Sequence, residues 1–171
     1  MKLLAVIDMQ NDFVTGSLGT PEAAAIVSAV REKVAQAIQN GDEVAFTKDT
    51  HGPDYLETPE GRKLPVAHCI RGSDGWEIVD ALEEFTHGRH AFEKETFGCR
   101  ELARWANGRS FDAVEVVGLC TDICVISNAL MLKAALPRAE ITVDSRCCAG
   151  TTPESHQRAL EAMAVCQINI L

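Results

Sequence analysis

The sequence predicts an α/β fold: a three-layer α/β/α sandwich around a mostly parallel sheet of about six strands. Three observations predict it. Short apolar runs alternate with amphipathic stretches along the whole chain. Helix-start and helix-stop residues sit where the pattern changes. Reactive polar residues repeatedly follow the apolar runs, where open α/β sheets bind their ligands. With 171 residues, 46% hydrophobic and 24% charged, the chain is expected to form one domain, residues 1–171, with a substantial core.

The elements follow in order. LLAVIDM at 3–9 reads as a buried strand. Residues 21–40 read as a helix, with Thr20 as N-cap, Pro21 as its first residue and Gly41 as its stop. Its Ile26, Val27, Val30, Val34 and Ile38 recur at three- and four-residue steps, the spacing of one helical face. Strands are predicted at 43–49, 89–94, 112–119, 140–145 and 166–170, and helices at 99–107, 122–135 and 153–165. Strands that alternate with helices imply parallel βαβ units. Residues 50–76 break the pattern: they are rich in Pro and Gly and only weakly periodic, and loops this long in compact domains are usually functional or disordered.

Composition excludes several classes. Net charge is −9 and no basic block occurs, which argues against nucleic acid as a partner. Nothing approaches about 18 consecutive apolar residues, so no membrane span is expected. The N-terminal apolar run meets Asp8 without a small-residue cleavage site, unlike a secretory signal, so a cytoplasmic protein is expected. Seven cysteines, an odd number without scaffold rhythm, should then stay reduced.

GLCTDICV at 118–125 brings Cys120 and Cys124 close together. Such a pair can be half of a zinc site, a redox couple, or a working thiol beside a structural one. A four-cysteine zinc site needs a second close pair, and the adjacent Cys147 and Cys148 cannot easily both bind one ion. Of the two, Cys124 is the better nucleophile, since a helix capped by Thr121 or Asp122 has it in the first turn, where the positive helix end favours a thiolate. Asp8, Asp49, His51 and Lys94 also follow strands, so all should share one rim with it. Taken singly, Asp8 reads more simply as a turn residue and Lys94 as a solvated charge. Together with a thiol they supply a base and a cation.

At these residues the chain resembles the isochorismatase-like cysteine hydrolases, which include the nicotinamidases. VIDMQNDF at 6–13, FEKETFG at 92–98 and GLCTDICV come in that family's order and span most of the chain. The resemblance implies an Asp8–Lys94–Cys124 triad, a cis peptide bond before Cys120, and an oxyanion hole from the N–H groups of Cys120 and Cys124. Asp49, His51 and His68 resemble the nicotinamidase metal site, and mixed carboxylate and imidazole donors suit a divalent ion such as zinc, iron or manganese. Phe13 matches an aromatic pocket position, with Tyr55, Leu64 and Phe97 as further pocket residues. Leu64 and Pro65 stand where nicotinamidases usually carry a tryptophan-proline pair, and the segment after Lys94 is short.

The chemistry implied is cysteine-dependent hydrolysis of a small amide through a thioester, with nicotinamide as the leading substrate and a homo-oligomer as the assembly. Ureido or carbamoyl amides and isochorismatase-type hydrolysis are alternatives, although the latter branch can lack the cysteine. A non-catalytic metal- or partner-binding protein on the same fold is the alternative of another class.

Overall fold

The computed structural model describes all 171 residues. Strand β1 (Lys2–Ile7) leads into the short α1 (Asn11–Val14) and the long α2 (Pro21–Gln39). Then come β2 (Glu43–Asp49), α3 (Asp80–Glu83), β3 (His90–Lys94), α4 (Arg100–Asn107) and β4 (Ala113–Leu119). A π-helical turn (Thr121–Val125) runs into α5 (Ile126–Ala135), followed by β5 (Glu140–Ala149), α6 (Pro153–Val165) and β6 (Asn169–Ile170). The six strands form one sheet in the order β3-β2-β1-β4-β5-β6, and every neighbouring pair is parallel.

The two-residue period of β1 sorts its side chains between two cores. Leu3, Ala5 and Ile7 pack with α4, α5 and α6 on one face. Leu4 and Val6 pack with α2 and α3 on the other. Both long caps form as expected: the Thr20 side chain accepts from the Ala23 N–H, and Thr152 from the Ser155 N–H.

Three elements differ from the sequence pattern. The helix expected from Asp122 begins as the π turn, in which the Val125 N–H reaches the Cys120 carbonyl. Strand β5 continues to Ala149, past a register shift against β4 between Val116 and Gly118. The last strand shrinks to two residues, because Cys166 caps α6 and Gln167 turns with φ 63°. Gly118 has φ 117°, and a Cβ there would lie 2.1 Å from the Ile7 carbonyl oxygen. Only glycine lets β4 lie this close to β1 at the rim that carries Asp8 and Cys120.

The 50–76 segment has only two short 3-10 turns, Tyr55–Glu57 and Asp74–Trp76, yet it is packed. Tyr55 is 1% exposed, and its hydroxyl donates to the Leu64 carbonyl at 2.9 Å. No helix is long and apolar enough to cross a membrane.

Candidate active site

The strand ends bring Asp8, Asp49, Lys94 and Cys124 into direct contact. Asp8 directly follows β1, is fully buried, and takes φ 47°, which turns the chain out of the sheet. Lys94 ends β3 and reaches across β2, with its Nζ 2.7 Å from Asp8 Oδ2, 3.2 Å from Asp49 Oδ1 and 3.5 Å from Cys124 Sγ. Thr47 on β2 donates to Asp8 Oδ1 at 2.6 Å and accepts from the Asp8 N–H at 3.2 Å. The other oxygen, Oδ2, has the Lys94 charge beside it but no aligned hydrogen-bond donor.

Burial sets the protonation chemistry. It raises the Asp8 carboxyl, and the Lys94 charge only partly offsets this, so Asp8 is a stronger base than an ordinary carboxylate. The Cys124 thiol is pushed well above its usual value by burial and by the Asp8 charge, against Lys94. The helix-end argument from the sequence pointed the other way, towards a thiolate. In the fold, desolvation outweighs the helix end, so the resting sulfur is a thiol awaiting a base. Burial would release the Lys94 proton, but the charges of Asp8 and Asp49 outweigh it and hold the ammonium firmly.

The turn after β4 presents Cys124. The Leu119–Cys120 peptide is cis, and the Cys120 N–H makes no hydrogen bond within the protein. Two contacts fix this turn: Thr121 Oγ1 lies 2.7 Å from His156 Nδ1, and Asp122 accepts from the Thr151 N–H at 3.0 Å. Burial pushes the Cys120 thiol up to about 12. All seven cysteines are free thiols.

Beside Lys94 lies a second cluster. One donor atom each from Asp49, His51, Glu60 and His68 lies within 4.8 Å of all the others. Asp49 Oδ2 is 3.0 Å from His51 Nε2 and 3.5 Å from His68 Nε2, and Glu60 Oε1 is 3.8 and 3.9 Å from the same nitrogens. Donors at ~2.0–2.2 Å from one ion stand ~3–4 Å apart, so the spacing fits a single divalent metal. His68 Nδ1 lies 2.8 Å from the Val66 carbonyl, which keeps the proton on Nδ1 and leaves Nε2 a lone pair. Burial opposes ionisation of Asp49, yet the adjoining His51 and His68 and the Lys94 charge hold it well below the usual carboxylate range. The residues therefore fit the metal that the sequence suggested, with Glu60 as a fourth donor.

The aromatic residues divide. Phe13 is buried with its ring centroid 5.5 Å from that of His68. Tyr55 does not face a ligand: its ring is wedged against His51 and His68, at 4.6 and 4.9 Å between centroids. A tyrosine whose hydroxyl already has a buried partner serves as backing for the histidines. Leu64 and Phe97 are 37% and 41% exposed on the two loops that flank the site.

Sequence reasoning missed Glu60, Thr47 and Gln10. Gln10 is fully buried, and its amide donates to the carbonyls of Asp49 and Trp76, both at 2.8 Å, and accepts from the Asp49 N–H at 2.7 Å. Its place in the VIDMQNDF motif was the available signal. A polar cleft of about 500 Å³ opens beside Lys94, lined by Thr50, Glu95, Thr96 and Gly98 among others. A larger cavity of 610 Å³ lies at the opposite ends of the strands, by Lys2 and Ala113, and contains none of these residues.

A buried thiol with a carboxylate and an ammonium, presented at the rim of a parallel sheet, defines a cysteine hydrolase of α/β type. The chain matches the isochorismatase domain over residues 2–170 and belongs to that family. It is 28% identical to the nicotinamidase/pyrazinamidase of Mycobacterium tuberculosis over 100% of this chain and 98% of that protein. The pyrazinamidase of Pyrococcus horikoshii, solved in complex with zinc, superposes with a TM-score of 0.87 at 28% identity, covering 99% of this chain and 98% of that one. An N-carbamoylsarcosine amidase of Thermoplasma acidophilum superposes with a TM-score of 0.80, also at 28% identity, over 99% and 94% of the two chains.

Proposed function

We propose that this protein hydrolyses nicotinamide to nicotinate and ammonia through a Cys124 thioester. The observation that carries the reading is Asp49, which contacts both the Lys94 of the thiol group and the histidines of the donor cluster. A thiol hydrolase alone does not need that cluster. A ring amide with a basic nitrogen does, and the nicotinamidase relatives and the zinc-bound neighbour support the same choice.

Asp8 Oδ2 takes the Cys124 proton, and the sulfur attacks the amide carbonyl. Lys94 stays protonated and stabilises the charge that develops on sulfur and carboxylate. The N–H groups of Cys120 and Cys124 receive the oxyanion. Asp8 then returns its proton to the leaving nitrogen, and ammonia departs. Water, deprotonated by Asp8, cleaves the thioester and frees the acid and the thiol. Asp49, His51, Glu60 and His68 would hold zinc, iron or manganese, which when bound supplies a Lewis-acid contact for the ring nitrogen. Phe13 contributes a pocket wall, and Leu64 and Phe97 stand at its edges. We place the enzyme in the cytoplasm as a homo-oligomer, in keeping with its reduced cysteines.

The test is ammonia release from nicotinamide by the zinc-loaded protein against a Cys124→Ala control. Release that disappears in the control supports the reading. No release from the intact protein sinks nicotinamide as substrate and turns attention to ureido amides, for which the N-carbamoylsarcosine amidase neighbour is the precedent.

A further inference from the structure

The wall formed by residues 95–99 has almost no hydrogen bonding of its own. No backbone–backbone hydrogen bond involves residues 95–98. The segment is held instead by one side chain from α5. Asn128 is 1% exposed, and its Oδ1 accepts from the Cys99 N–H at 2.8 Å. Its Nδ2 donates to the Phe97 carbonyl at 3.1 Å and to the Cys124 carbonyl at 2.8 Å. One buried amide therefore ties the loop after Lys94 to the residue that carries the nucleophile.

The loop also lies directly on α5. A Cβ at Gly98 would come within 2.3 Å of Met131 Sδ and 3.8 Å of Ser127 Cβ. Glu95, Thr96 and Gly98 line the cleft beside Lys94, and Phe97 is 41% exposed. The segment is one wall of that cleft, and Lys94, which also lines it, lies 3.5 Å from Cys124 Sγ.

We propose that Asn128 is a positioning residue for the reaction: it fixes the distance between the 95–99 wall and Cys124 and so sets which ring substituents the site admits. It touches neither Asp8 nor Lys94, so its contribution goes to binding and selection rather than to proton transfer. The amide is suited to the task because it satisfies one N–H and two carbonyls at once. An alanine leaves all three groups without partners, and the wall without its tie.

The substrate arm of the test rests on the nicotinamidase reading; a second arm does not. In Asn128→Ala, KM for nicotinamide is expected to rise at least tenfold while kcat falls less than threefold. Discrimination in kcat/KM between nicotinamide and 5-methylnicotinamide is expected to narrow at least fivefold. Hydrogen exchange at the Cys99 amide should quicken tenfold or more, with β1 and β4 unchanged. Gly98→Ala, whose methyl must push against Met131, moves the same wall with Asn128 intact and should shift the same ratio even if Asn128→Ala folds poorly. Unchanged KM and discrimination in both variants, with activity lost only in step with folded protein, would overturn the proposal. If the wild type does not hydrolyse nicotinamide, the substrate reading fails by itself. Exchange at the Cys99 amide then decides, and unaltered exchange there in Asn128→Ala overturns the positioning role.

Discussion

Asp49 holds Lys94 with one carboxylate oxygen, Oδ1 at 3.2 Å from Nζ, and turns the other to the histidines. The thiol group and the metal-type cluster thus share a residue, and the two cannot be varied independently. His51, Glu60 and His68 belong to the cluster alone.

That sharing predicts an asymmetry among ligand variants. His68→Ala should lower zinc affinity about tenfold or more, and millimolar zinc should restore most of its nicotinamide hydrolysis. Asp49→Asn should lose zinc as well, but zinc should not restore it, because Lys94 has also lost a counter-charge. Metal content after dialysis and activity across a zinc titration measure both effects. Recovery of Asp49→Asn by zinc would show that the carboxylate serves the metal only.

Lys94 and Asp8 should differ sharply in stability. Removing Lys94, which is almost fully buried, leaves the carboxylates of Asp8 and Asp49 facing each other without their cation. Lys94→Met is expected to cost about 3–5 kcal/mol in urea unfolding, as well as activity. Asp8→Asn keeps an oxygen for the Thr47 hydroxyl and removes a charge that burial disfavours. It should abolish turnover at a smaller cost in stability than Lys94→Met, because Asp49 still faces the ammonium.

The pH profile follows from the same raised carboxyl. A carboxylate whose folded-state value lies above 3.8 regains its proton at a higher pH than an unfolded one. The proposed reaction needs the base form, so the acid limb of kcat/KM should fall at a pH above the ordinary carboxylate range. Stability carries the opposite sign. The protonated form is favoured in the fold, and that contribution is lost as pH rises through the folded-state value. Asp8→Asn should flatten this part of the stability curve, which chemical denaturation at several pH values can follow.

Gln10 should matter through the Asp49 backbone. Gln10→Ala leaves two buried carbonyls and one N–H unsatisfied, a loss expected at about 3 kcal/mol. Zinc affinity should fall with it although Gln10 is not a ligand. Unfolding curves and metal titration on one preparation separate the two losses.

Much of this was legible in the chain. The strand order could not be read, but the rim could, because a parallel sheet sends every strand's C-terminal end to one side. Asp8, Asp49, Lys94 and Cys124 meet for that reason. Glu60 was hidden in a loop without periodicity, where nothing distinguishes a ligand from a solvated acid. Tyr55 was misjudged because exposure depends on how that loop folds back, and its hydroxyl found the Leu64 carbonyl. Thiolate character was misjudged too, since a helix end can be seen in sequence while desolvation by surrounding strands cannot.

The buried Tyr55, braced against both histidines and tied to Leu64, has a consequence for how an ion arrives. His51, Glu60 and His68 come from one segment that is already folded, so capture of an ion requires no reordering of chain. Loading and exchange should therefore be quick and fully reversible, and the far-UV spectrum should not change when a chelator strips the site. A site built this way would take up its ion without refolding, and which divalent ion it held would depend on the medium as well as on its donors.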